Sequence, residues 1–165
     1  VLCATHAHVS LVAAQTTPQT SEEFSIKLKG VDGKIYDAAK MKGEVVVVSF
    51  GATWCRPCVA EIEALEALKR EYSGRPLKIW WASIESEDEK SDVLLREYAK
   101  DLRMTIPVLR DPERIAYGRF SQKLRMPLVV FFDRNGRYVA PIHVGMSTPD
   151  VYQARMRERI DPLLK

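Results

Sequence analysis

The sequence predicts an α/β domain of three layers built on a mixed β-sheet. A continuous strand-type run, Val45 to Phe50, led by four β-branched valines, is followed after a short loop by apolar residues at helical spacing. Strand-type and helix-type segments then alternate through the middle of the chain, and a tight turn at Asp133-Arg134-Asn135-Gly136 joins two late strands as a hairpin. The 165 residues suit one domain, and a hydrophobic share of 46% supports a core and excludes wholesale disorder. Basic residues number 25 against 22 acidic ones, and a net charge of +3 is too weak a field to indicate nucleic acid or a membrane surface. No apolar run approaches the roughly 18 residues needed to span a bilayer.

Residues 1–21 read as a flexible tail, or as the remnant of an export signal with its linker, ahead of a domain over 22–165. Val12-Ala13-Ala14 has the small-residue character of a signal-peptidase site and precedes a polar stretch. A vector-derived or frayed tail is the plainer alternative. Cys3 is incidental in this reading, and His6, His8 and Cys3 on a flexible tail pre-organise no metal site.

Phe24 to Lys29 alternates apolar and charged residues, and a turn at Val31 to Lys34 lets Ile35 and Tyr36 pair back as a hairpin. Val45 to Phe50 is a strand buried on both faces. Gly51 to Cys58 is a loop, and Pro57 opens a helix whose buried face carries Cys58, Ile62, Leu65, Leu68 and Tyr72. Ser73 to Pro76 ends it. Leu77 to Ser83 is a strand. The acidic stretch Glu85 to Glu89 is expected to open a second helix with Leu94, Tyr98 and Leu102 as its stripe. Ile106 to Leu109 is extended, Arg114 to Phe120 a short helix, and Leu128 to Phe132 and Tyr138 to His143 the strands of the late hairpin. Thr148-Pro149-Asp150 starts a last helix that buries Met156, Ile160 and Leu164. Arg155, Arg157 and Arg159 are expected on its wet face, and His143 is read as structural.

Two of the three cysteines stand as Cys55-Arg56-Pro57-Cys58, directly after a buried strand and at the mouth of a helix. Unpaired N–H groups and a partial positive charge at that end favour a thiolate, so Cys55 is the expected attacking sulfur, with Arg56 adding positive charge beside it. Cys58, one turn in and on the apolar face, suits a resolving thiol. Pro57 stiffens the loop between them. A structural zinc site lacks its second ligand pair, and covalent haem attachment needs a histidine where Val59 stands. Redox chemistry is the reading that remains, with no metal and no cofactor; a purely structural disulfide is the weaker alternative.

The segment Phe50 to Cys58 (FGATWCRPC) resembles the active site of the thioredoxin superfamily, and the chain is similar to its TlpA/ResA-like extracytoplasmic members. The insertion from Glu85 to Asp111 and the pair Met126-Pro127 before a strand add to the likeness. The resemblance implies a thioredoxin-like fold with a helix–strand insertion, a redox-active Cys55–Cys58 disulfide, and a cis peptide at Pro127. It also implies that Trp54 covers the active-site loop, that Glu61 relays the Cys58 proton, and that the Met126 backbone pairs with an extended client. A solvated helical Glu61 is the plainer alternative. Implied partners are protein disulfide or dithiol clients and a membrane thiol transporter that restores the dithiol to a monomeric protein. The resemblance favours a reductant of exported proteins, as in cytochrome c maturation. An oxidant or isomerase shares the same residues. A thiol peroxidase or a non-enzymatic copper-binding module is a lesser alternative.

Overall fold

The structure is a computed structural model that describes residues 24–165, so the expected tail over 1–21, with Cys3, His6 and His8, lies outside the described residues. Seven strands form one sheet: β1 Lys27–Gly30, β2 Ile35–Asp37, β3 Val45–Gly51, β4 Leu77–Ser83, β5 Val108–Arg110, β6 Leu128–Phe132 and β7 Tyr138–Val144, ordered β2-β1-β5-β4-β3-β6-β7. Four α-helices join them: α1 Arg56–Glu71, α2 Asp92–Asp101, α3 Ile115–Gly118 and α4 Pro149–Ile160. The chain thus runs hairpin, then β-α-β-α-β-α, then β-β-α. The sheet is mixed, because β3 runs parallel to β4 and antiparallel to β6.

β3 is central and buried along its whole length. Its side chains alternate between two cores, as strand geometry requires. Val45 and Val47 join Leu65, Leu68, Tyr152, Met156 and Ile160 under α1 and α4. Val46, Val48 and Phe50 join Trp80, Tyr117, Leu128 and Val130 on the opposite face. Each such fully buried side chain contributes on the order of 1.5–3 kcal/mol. The strand therefore holds its C-terminal end, and the loop beyond it, in a fixed position.

The inserted helix begins later than the acidic stretch suggests. Glu85 to Glu89 is not helical: the Glu85 carboxylate is drawn inward, and Ser86 and Glu89 close a local turn through two reciprocal bonds of 2.8 and 3.2 Å. Ser91 is the residue that caps α2, accepting from the Leu94 N–H. The stripe shifts accordingly. Leu95 is the fully buried side chain, Tyr98 and Leu102 are partly buried, and Leu94 is exposed. β5 also starts later than expected, at Val108, because Pro107 has no N–H to give and enters the sheet only through its carbonyl, which accepts from Trp81 N. β1 starts at Lys27 rather than Phe24, whose ring instead stacks on Tyr138 at 4.9 Å.

The arginines of α4 are not uniformly wet. Arg159 lies 4.5 Å over the Phe131 ring and donates to the carbonyls of Val139 and Pro141, since the helix crosses the late hairpin there. Arg157 forms a bidentate pair with Glu71, and Arg155 is exposed. His143, within β7, sits edge-on to Tyr152 with Nε2 3.0 Å from the Gly145 carbonyl, and burial lowers its pKa. Among the described residues no helix is long and apolar enough to cross a membrane.

Candidate active site

β3 ends at Gly51, and four residues later Cys55 occupies the N-cap of α1. The loop closes through Cys55 N to the Ala52 carbonyl and Cys58 N to the Cys55 carbonyl, at 3.1 and 3.0 Å. Cys55 and Cys58 are joined as a disulfide. Cys55 is 6% exposed and Cys58 is sealed at 0%. The Cys55 side chain makes no capping bond, and Pro57 lies in the first turn. The helix N-terminus is therefore free to act on the Cys55 sulfur.

Trp54 is 56% exposed, so it is not a core tryptophan. With Cys55, Arg56, Pro57, Leu124 and Met126 it lines an open groove of about 460 Å³. The Met126-Pro127 peptide is cis. The Pro127 carbonyl accepts from Gly145 N at 2.8 Å, tying this loop to the β7–α4 connection. The hydroxyl of Tyr117 anchors the same loop from below, donating to the Lys123 carbonyl at 2.8 Å and accepting from Arg125 N at 2.7 Å.

Glu61 is fully buried rather than solvated. It follows Cys58 by three residues on α1, which places the two on neighbouring positions of one helix face. Its carboxylate accepts from Ser49 Oγ at 2.7 Å and from Tyr152 Oη at 2.6 Å. Burial pushes its pKa up to about 7, against the lowering effect of those two donors. Burial, with the nearby Glu61 charge, likewise holds the Tyr152 hydroxyl well above the ordinary tyrosine value, so it stays a donor. An acid with this pKa can both take and return a proton near neutral pH.

The sequence model of the AhpC/TSA family matches residues 20–140. The chain belongs to that family. It is similar to the thioredoxin-like protein YneN of Bacillus subtilis, with 32% identity over 144 residues that span 87% of this chain and 78% of YneN. It is also similar to the thiol-disulfide oxidoreductase ResA of Bacillus cereus, with 23% identity over 128 residues, 78% of this chain and 70% of ResA. The exposed lipoprotein thioredoxin Etrx1 of Streptococcus pneumoniae superposes with a TM-score of 0.64 at 26% identity, covering 81% of this chain and 98% of that one. With its Cys55–Cys58 pair, this AhpC/TSA-family chain is a thiol-disulfide oxidoreductase with a thioredoxin-like fold.

Two features of the oxidoreductase's site escape a reading of the sequence. Glu85, expected on a helix, is buried behind the active-site loop. Its carboxylate accepts from Thr53 N at 2.9 Å, Thr53 Oγ1 at 2.7 Å and Ser83 Oγ at 3.0 Å. Nothing in the sequence around Glu85 distinguishes it from the solvated Glu87 or Glu89. Tyr152 could have been found, since it lies four residues before Met156 on the same stripe. Replacing Glu85 with alanine strips these donors of their acceptor. The expected loss is about 2 kcal/mol, which corresponds to a fall of roughly 5 °C in Tm for a chain of this size. Thermal unfolding checks this, and an unchanged Tm would mean that the loop stands without Glu85.

Proposed function

We propose that this oxidoreductase is an extracytoplasmic reductant of disulfides in exported proteins. The observation that carries the reading is the pairing of a Cys55 at the edge of an open groove with a sealed Cys58 beside a buried acid. The apolar floor of Trp54, Leu124 and Met126 suits an extended client segment with hydrophobic side chains around its cysteine. In this reading the Met126 backbone, ahead of Pro127, pairs with that segment. The working unit is then a monomer built on the domain over residues 22–165.

The reaction starts from the dithiol. Cys55 thiolate, favoured by the helix N-terminus, attacks one sulfur of the client disulfide, and the first client thiolate leaves. Glu61 then takes the Cys58 proton, and the Cys58 sulfur attacks Cys55. The bond to the client breaks and its second thiolate leaves. The client gains two electrons and two protons, and the Cys55–Cys58 disulfide remains. A membrane thiol transporter restores the dithiol. The N-terminal Val12-Ala13-Ala14 pattern and the likeness to an exposed lipoprotein thioredoxin support the location. Cysteines of the cytochrome c maturation type are the client class that the family likeness favours.

Stoichiometry tests the reading. Mixing the reduced protein with a disulfide-bonded protein client should yield two client thiols for each Cys55–Cys58 disulfide formed. A client left oxidised while both protein thiols stay free would overturn it.

A further inference from the structure

Trp81 lies in β4, paired across the sheet with Ser49 of β3, and its side chain is fully buried. Its indole N–H finds no hydrogen-bond acceptor among the described residues. A buried donor left in that condition is costly and calls for a physical reason. Its surroundings supply one. A Cβ built on Gly51 would stand 2.8 Å from Trp81 Nε1 and 3.1 Å from Cys58 Sγ. The indole nitrogen and the sulfur thus border the same point, which a side chain at residue 51 would fill.

The sulfur facing that donor changes with redox state. In the disulfide it is divalent and a poor acceptor. As a thiolate it carries a full negative charge and accepts strongly. We infer that Trp81 Nε1–H is a donor reserved for the reduced protein, where it bonds the Cys58 sulfur as the proton leaves and stabilises the nucleophile that resolves the mixed disulfide. Glu61 would take the proton from one side, and Trp81 would hold the charge from the other. Among the described residues the buried ionisable groups give Cys58 no positive partner, and Arg56 is exposed at the groove. Glu61 is acidic, Tyr152 is bonded to Glu61, Glu85 is bonded to Thr53 and Ser83, and the ring of Tyr98 lies 5.9 Å from that of Trp81. The inference rests on Cys58 being the resolving thiol, as proposed above.

Trp81→Phe keeps an aromatic ring and removes the N–H. The expected result is a resolution step about tenfold slower, with the first attack by Cys55 on a small aromatic disulfide unchanged. At a pH where Cys58 of the reduced protein is ionised, the equilibrium with glutathione should move about tenfold toward the disulfide, which is about 30 mV for a two-electron couple. Resolution and equilibrium both within twofold of the wild type would overturn the inference. Should the variant not fold, NMR of the unaltered protein decides. The Trp81 indole proton should move downfield on reduction and follow the ionisation of Cys58, and an unmoved resonance removes the inference. Trapping by Cys58→Ser separates the two readings: if adducts accumulate while the Trp81 signal stays still, only the role of Trp81 falls. If no adduct forms, the resolving role of Cys58 falls first.

Discussion

With Cys58 replaced by serine, turnover stops and the protein accumulates as a mixed disulfide through Cys55. Cys55 is the sulfur at the groove, so the first attack proceeds as in the wild type. A serine hydroxyl in the sealed position cannot displace the client thiolate from sulfur, and release then depends on external thiols. The expected loss of multiple turnover is about a thousandfold or more, set by how poorly an un-ionised hydroxyl replaces a thiolate. Non-reducing electrophoresis with thiol quenching measures the adduct. Cys55→Ser, by contrast, should give no adduct at all. Failure of Cys58→Ser to trap any client while Cys55 is intact would contradict the exchange mechanism.

Glu61→Gln should slow resolution about a hundredfold near neutral pH, within the usual range for loss of a positioned general base. The pH profile is the sharper readout. With its carboxyl pushed up to about 7, the wild-type rate should rise through that region as Glu61 ionises, and the glutamine variant should lose the inflection. Stability moves in a defined direction as well. Burial raises this carboxyl from 4.5 to about 7, so the folded state retains a proton that the unfolded chain has already released. That contribution is complete below 4.5 and is lost as pH rises through 7. It amounts to about 3 kcal/mol over the window. The variant, neutral at every pH, should therefore gain on the wild type between pH 5 and pH 8 in urea unfolding. A constant difference between the two proteins across that range would mean that Glu61 does not titrate there.

The sheet and its central strand are legible because burial on both faces leaves a short apolar run rich in β-branched residues, as in Val45 to Phe50. The cysteine pair is legible for a related reason: chemistry at a helix mouth needs a fixed spacing, and Cys55-Arg56-Pro57-Cys58 carries it in four consecutive letters. What sequence position hides is the destination of a polar side chain. Glu85 and Glu89 look alike in the chain, yet one enters the fold to hold Thr53 and the other closes a surface turn. Ser91 outcompetes the acids as the cap of α2, a contest that composition does not decide. Arg159 reads as solvated until β6 and β7 bring the Phe131 ring and two carbonyls beneath it. Trp81 sits in the Leu77 to Ser83 strand beside a second tryptophan, and only the folded sheet brings its indole nitrogen to the point at Gly51 that the Cys58 sulfur also borders.

The reduction potential of the Cys55–Cys58 couple, measured by equilibration in thiol buffers with tryptophan fluorescence as the signal, tests the proposed direction of electron flow most directly. A reductant requires a value near or below about −250 mV, in the range of thioredoxin. A value near −120 mV would mean that the reduced form is the stabilised one, and the protein would then be an oxidant of its clients.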